Sequence, residues 1–146
     1  MLRAATTADA EQMRALVRAA YAHYVPRIGI EPLPMVDDYA ARAAAQQAWV
    51  MEDDGALAGV LVLEDDPSGL LLDNIAVAPG AQRRGHGRAM IAFAEAEARR
   101  RGHPRLWLYT NEKMFENIAL YARLGFRETH REDRKGRKAV CMEKSL

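Results

Sequence analysis

A single cysteine, Cys141, stands in 146 residues, so no disulfide can close within the chain. A reducing compartment is the default that follows, and a cytoplasmic location is the expectation. Cys141 sits in the apolar run Ala139-Val140-Cys141-Met142 and reads as a small buried side chain rather than a nucleophile. No apolar stretch is long enough to span a bilayer, and Met1–Ala5 lacks the hydrophobic run of a signal peptide. Charge of one sign is also missing. Twenty-one basic residues face twenty acidic ones for a formal net charge of +1, so nothing global invites nucleic acid and any anion site must be local. Serine is scarce, with Ser68 and Ser145 alone, and neither lies in the Gly-x-Ser-x-Gly turn of a serine hydrolase. The four histidines, His23, His86, His103 and His130, show no metal-ligand spacing, and no metal is expected.

What is present is one α/β domain over residues 1–146. Leu2–Ala5 can form a first strand. Thr6, Thr7 and Asp9 carry helix-starting oxygens ahead of Met13, Leu16, Val17 and Ala20, which recur at helical spacing. Pro26, Gly29, Pro32 and Pro34 break the pattern and forbid a regular helix there. Asp37 or Asp38 can then cap a second helix through Ala45. Residues 47–52, 56–63 and 70–78 read as strands joined at Asp53-Asp54-Gly55 and Pro67-Ser68-Gly69. A glycine-bearing turn at 79–87 opens a long helix that stops near Gly102. A strand over 105–110, a helix over 113–124 and two strands over 126–130 and 138–144 complete the order β-α-α-β-β-β-α-β-α-β-β. The expected architecture is a mixed, mostly antiparallel sheet flanked by helices.

The segment Asp73–Arg88 holds the chemistry. A buried strand runs into a turn with Gly85 and Gly87, which let a ligand approach the backbone, and the turn opens a helix. Free N–H groups and the helix dipole favour an anion such as pyrophosphate, and Arg83, Arg84 and Arg88 can pair with its oxygens. The P-loop pattern is absent, and Met90 stands where a dinucleotide fingerprint needs its third small residue. A second segment, Asn111–Phe126, places Asn117 and Tyr121 four residues apart on one helix face. Met114, Ile118 and Ala122 form an apolar line beside them.

Together these segments resemble the GNAT superfamily of acyl-CoA N-acyltransferases. Gln82-Arg83-Arg84-Gly85-His86-Gly87 is similar to its Gln/Arg-x-x-Gly-x-Gly/Ala signature, and it follows Ile75-Ala76-Val77-Ala78-Pro79. A second element of the superfamily, Asn-x-x-Ala-x-x-x-Tyr-x-x-x-Gly-Phe, has a closely similar counterpart here. Tyr121, Gly125 and Phe126 match its end at that spacing, while Asn117 stands four residues before Tyr121 rather than seven, with a small residue, Ala119, between them. The resemblance implies a single-domain GNAT-like fold and acetyl-CoA as co-substrate. It implies that amides from Arg83 to Arg88, His86 included, hold the CoA pyrophosphate. The backbone at Ile75, Ala76 and Val77 would pair with the pantetheine arm as an added strand. Asn117 would contact that arm, and the Tyr121 hydroxyl would protonate or stabilise the departing thiolate.

The implied reaction is direct attack of a primary amine in a ternary complex, on a small molecule or a peptide. A strand amide near Ile75 would donate to the developing oxyanion. Asp73 is the candidate base, because strand alternation would put Asp73, Ile75 and Val77 on one face. Some members of the superfamily carry a Glu two positions earlier, where this chain has Leu71. The first two helices and their connection usually wall the acceptor, which nominates Tyr24, Arg27, Glu31 and Tyr39. Arg27 would hold an acceptor carboxylate. Dimerisation is common in the superfamily, so a homodimer is an expectation; nucleic-acid and membrane partners are not. The rival reading is a non-catalytic acyl-CoA-binding regulatory domain.

Overall fold

Seven strands hydrogen-bond in one sheet of order β1-β2-β3-β4-β5-β7-β6 in a computed structural model that describes all 146 residues. The strands are β1 (Leu2–Ala4), β2 (Ala48–Asp53), β3 (Ala56–Asp66), β4 (Gly69–Val77), β5 (Arg105–Asn111), β6 (Arg127–Arg134) and β7 (Arg137–Ser145). Every neighbouring pair is antiparallel except β4 and β5. That pair needs a crossover, and the helix α4 (His86–Arg100) supplies it. The remaining helices are α1 (Ala10–Tyr21), α2 (Val25–Ile28), α3 (Tyr39–Ala44) and α5 (Phe115–Arg123).

Local chemistry accounts for most boundaries. Asp9 accepts from the backbone of Thr6 at 2.8 Å and is gripped by both terminal nitrogens of Arg3 at 2.9 Å, which starts the chain toward α1. Of the two candidate caps for α3, Asp38 is the one used, accepting from Ala41 N–H at 3.0 Å. Asp54 and Gly55 both take positive φ, as do Lys135 and Gly136, which is the two-residue hairpin turn that matches strand twist. The element over 25–34 departs from expectation. Val25–Ile28 forms one helical turn with Pro26 in its opening positions, where a missing N–H costs nothing, and Gly29 ends it at φ 86°. Proline there starts a single turn, and Gly29 stops it short of a regular helix.

Two cores sandwich the sheet. On one face α4 and the end of α5 bring Met90, Ile91, Ala94, Ala98 and Tyr121 against Leu61, Leu63, Leu70, Leu72, Leu106 and Leu108. On the other, α1 and α3 bring Met13, Leu16, Val17, Tyr39 and Ala43 against Val50, Val60, Val62 and Ala76. No helix is long and apolar enough to cross a membrane.

One feature of the sheet makes the site. β4 and β5 pair only over Leu70–Leu72 and Leu106–Leu108. Beyond Leu72 the strands part, leaving the β5-facing backbone edge of residues 73–77 without a strand partner. A β-bulge lies at the same point, because Val62 pairs with Asn74 and Leu63 with Leu72, so Asp73 has no partner on β3.

Candidate active site

The splayed strands separate two concavities that meet between them. The larger is a groove of about 530 Å³ between β4, the start of α4 and α5, with His23 and Tyr24 on its far wall. The smaller, about 50 Å³, lies on the other side, walled by Pro32, Leu33 and Pro34, by β5 and by the β6–β7 hairpin. Four residues line both, namely Tyr21, Ile75, Asn117 and Tyr121. Whatever lies in the groove can therefore touch whatever enters the smaller cavity only at these four.

The groove collects most of the residues nominated for CoA. Gly85 caps α4 at φ 82° with nothing within 4 Å of where a Cβ would stand, so the turn is open to a ligand. Gly87 faces Val77 of β4, and a Cβ there would sit 3.9 Å from its side chain. Gln82, Arg83, His86 and Arg88 join these two glycines in lining the groove, and Arg83 itself takes φ 67°. The first amides of α4 have no acceptor within the helix, which leaves a cluster of donors at its positive end. Ile75, Ala76 and Val77 form the floor, with one backbone edge taken by β3 and the other open. Arg84 is the exception. Its guanidinium is turned away to Asp53 at 3.0 Å, and His86 Nε2 shares that carboxylate at 3.0 Å, so the β2–β3 hairpin steadies the turn.

Tyr121 stands at the junction with its side chain buried, packed edge-on to Phe126 at 5.8 Å between centroids. Burial, aided by Tyr24, pushes its hydroxyl well above the ordinary tyrosine value, with no hydrogen bond among the causes. The group stays protonated and free to donate into the cleft. Tyr21 lies beside it, its hydroxyl 3.0 Å from Asn74 Oδ1 and 3.2 Å from the Ile75 carbonyl. Asn74 in turn donates to the Tyr39 hydroxyl at 3.0 Å. Asn74 is one of two buried polar side chains in the protein, and this chain of bonds satisfies it.

Asp73 is not on the face alternation gave it. The bulge sends both Asp73 and Asn74 toward the α1–α3 side, while Ile75 and Val77 pack on the opposite core. Oδ2 of Asp73 is 3.2 Å from Arg42 of α3, and Oδ1 accepts from the Tyr109 hydroxyl at 3.0 Å. Asp73 nonetheless lines the smaller cavity and is its only acid. Burial raises its carboxyl above the usual range, against the opposing pull of Arg42 and Tyr109. On its far side a polar opening lined by Asp37, Arg42, Glu64 and Lys135 leads outward.

Of the four residues nominated for the acceptor, only Tyr24 borders either cavity, and it lines the groove. Arg27 is committed to Glu116 through two bonds of 2.9 and 3.0 Å and stacks over Tyr24 and Phe115, tying α2 to the start of α5. Glu31 pairs with Arg18 at 2.6 Å. Tyr39 is 2% exposed, its hydroxyl donated to the Pro34 carbonyl. These three build the wall without facing the cavity. The residues that do face it, Asn111, Arg134, Arg137 and Lys138, come from the end of β5 and the β6–β7 hairpin. The basic run around the Gly136 turn is the one sequence signal for them.

Elsewhere, strand pairing brings His130, Glu132 and Cys141 together with ligand-capable atoms within 4.8 Å, a grouping that histidine spacing along the chain does not reveal. The set is internally hydrogen-bonded, with Cys141 Sγ donating to Glu132 Oε1 at 3.1 Å and His130 Nε2 at 2.8 Å from the same oxygen. Burial and Glu132 push the thiol up to about 12, in keeping with an inert side chain.

Comparison with known proteins places this geometry. A model of the Acetyltransferase (GNAT) family matches residues 11–126. The chain is 31% identical over 94 residues to the uncharacterized N-acetyltransferase YvbK of Bacillus subtilis (strain 168), covering 64% of this chain and 59% of that one. It is 35% identical over 94 residues to the peptidyl-lysine N-acetyltransferase YiaC of Escherichia coli (strain K12), covering 64% and 58%. The matched segments thus span a little under three-fifths of these relatives. In fold it is similar to the PaiA N-acetyltransferase of Thermoplasma acidophilum solved in complex with coenzyme A, with a TM-score of 0.83, 18% identity and coverage of 100% and 98%.

Proposed function

This chain belongs to the GNAT acetyltransferase family, and from that premise we propose that it transfers the acetyl group of acetyl-CoA to the nitrogen of an amine acceptor. The observation that carries the reading is the meeting of two cavities at Tyr21, Ile75, Asn117 and Tyr121. The donor fits the long groove and the acceptor the short cavity, and contact is confined to one point.

The groove suits a pyrophosphate and an extended amide-bearing arm. Gly85 and Gly87 leave the turn uncluttered, the α4 amides supply donors, and Arg83 and Arg88 supply charge. Along residues 74–77 the open backbone edge of β4 can pair with amides of the arm in the manner of an added strand. Asn117 lies where that arm would end. Acetyl-CoA supplies the acetyl group already activated as a thioester.

The chain's own residues then handle protons and charge. Asp73 is the acid through which the ammonium proton of the acceptor leaves, directly or by way of a water, and the opening past Glu64 gives that proton a route to solvent. Its raised carboxyl, held by Arg42 and Tyr109, is shifted toward the range useful to a base. A backbone N–H near Ile75 would donate to charge on the carbonyl oxygen. Tyr121, protonated throughout the neutral range, donates to the departing sulfur. Neither a cysteine nor a serine lines either cavity, which supports direct attack over a covalent enzyme intermediate.

The test is release of CoA thiol from acetyl-CoA in the presence of a panel of amines spanning free amino acids, polyamines, and peptides with lysine or a free N-terminus. Amine-dependent release is the expected result. Tight acetyl-CoA binding with no release for any amine would instead favour a non-catalytic acyl-CoA-binding domain.

A further inference from the structure

The acceptor cavity is lined by unequal charge. Three cations line it, Arg134, Arg137 and Lys138, against the single acid Asp73, whose charge Arg42 already meets. The contrast with other arginines of the chain is informative. Arg18, Arg27, Arg42 and Arg84 each hold a carboxylate. Arg137 holds none. Its Nε and Nη2 donate to the Glu31 carbonyl at 3.0 and 2.8 Å, and its Nη1 donates to the Lys135 carbonyl at 2.7 Å.

Those bonds fix the guanidinium in place and leave two of its five N–H donors free. Carbonyl oxygens satisfy geometry without supplying a counter-charge. A half-buried guanidinium pinned by backbone, with its charge unneutralised and its free donors beside a cavity, is a preorganised anion site. Lys138, exposed and in no ion pair, lines the same cavity from the next position of β7. Arg134 stands nearer the acid, over the ring of Tyr109 at 4.0 Å, and is partly met by Glu132 at 3.3 Å. Asp73 and the pair Arg137 and Lys138 thus line one cavity from different strands, β4 and β7.

Resting on the acetyltransfer reading, we propose that the acceptor is an amine that also carries an anionic group, a carboxylate in its simplest form, and that Arg137 with Lys138 holds that group while the amine points to Asp73. The prolines of the wall, Pro32 and Pro34, and the small volume restrict the space between anion and amine to a slim linker. The anion can come from two sources with the same chemistry, the α-carboxylate of a free amino acid or an acidic side chain near a peptide N-terminus.

The experiment compares kcat/KM across matched acceptors at fixed acetyl-CoA. One arm uses free amino acids, their carboxamides and their decarboxylated amines; the other uses short N-terminal peptides bearing Asp or Lys at the second position. The anionic member of the winning arm should lead by on the order of tenfold, carried by KM, and added salt should shrink the lead. In Lys138→Gln, and in Arg137→Gln where it folds, the ratio of anionic to neutral acceptor should fall while KM for acetyl-CoA holds. Lys138 is exposed, so its variant stays interpretable if the Arg137 variant does not fold. Preference for neutral or cationic amines in the wild type, or an equal loss for all acceptors in Lys138→Gln, would overturn the proposal and leave acetyltransfer standing. Absence of turnover with every amine would remove the acetyltransfer reading itself.

Discussion

The Tyr109 hydroxyl on β5 donates to Asp73 Oδ1 on β4 across 3.0 Å, one residue beyond the last paired rung of the two strands, Leu72 with Leu108. The bond spans the mouth of the opening where the backbone ladder has stopped. It positions the carboxylate from one side while Arg42 holds it from the other.

The first prediction concerns that carboxylate. Asp73 is raised, chiefly by burial, and a base works only when deprotonated. Activity should therefore be lost as pH falls through a value above the ordinary aspartate value of 3.8, and be retained above it. Asp73→Asn should lower kcat by about 100-fold and abolish that acidic limb, with acetyl-CoA affinity little changed. A pH–rate profile of the variant that keeps the wild-type limb would assign the proton to another group.

Tyr121→Phe separates acid chemistry from packing. The ring and its edge contact with Phe126 remain, and only the hydroxyl goes. The expected loss is about 10- to 100-fold in kcat, with acetyl-CoA affinity preserved. Unchanged kcat would mean the thiolate leaves without help from this residue.

Gly69→Ala tests the closed end of the opening. Gly69 has φ 138°, and an added Cβ would stand 2.6 Å from the Arg105 carbonyl oxygen, a backbone atom that cannot swing aside. A stability loss of about 3 kcal/mol is expected in urea denaturation. A loss well under about 1 kcal/mol would contradict the close approach of β4 to β5.

Acid should loosen the clamp between α2 and α5. Hydrogen bonds from Arg27 lower Glu116 from 4.5 to about 2. A depressed carboxyl contributes stability that is present above 4.5 and lost as pH falls through about 2. The urea midpoint should therefore drop over that window, and Glu116→Gln should flatten the drop. An identical pH dependence in the variant would show that the pair adds nothing.

How much of this is legible in the sequence depends on how local each determinant is. The glycine turn and the Asn117–Tyr121 element depend on neighbours within a few residues, and both border the groove for which their residues are nominated. Turns at Asp54-Gly55 and Lys135-Gly136 and the Asp38 cap are similarly local. The face of Asp73 is not legible, because a bulge is a property of the register between β3 and β4 and leaves no mark in strand alternation. Arg27 is misread for a related reason. Its partner, Glu116, lies 89 residues away, and nothing near Arg27 shows that its charge is already taken. The α1–α3 connection alone suggests itself as the acceptor wall, whereas the β6–β7 hairpin supplies the cations through a pairing of distant strands.

The central claim is that the groove at the start of α4 holds acetyl-CoA, and calorimetric titration of wild type and Gly85→Glu tests it most directly. The substitution forces a side chain into a φ 82° position and puts a negative charge at the helix end proposed to hold pyrophosphate. Saturable wild-type binding that is lost in a folded Gly85→Glu variant is the predicted result. No wild-type binding at millimolar acetyl-CoA, or equal binding by both proteins, would contradict the account.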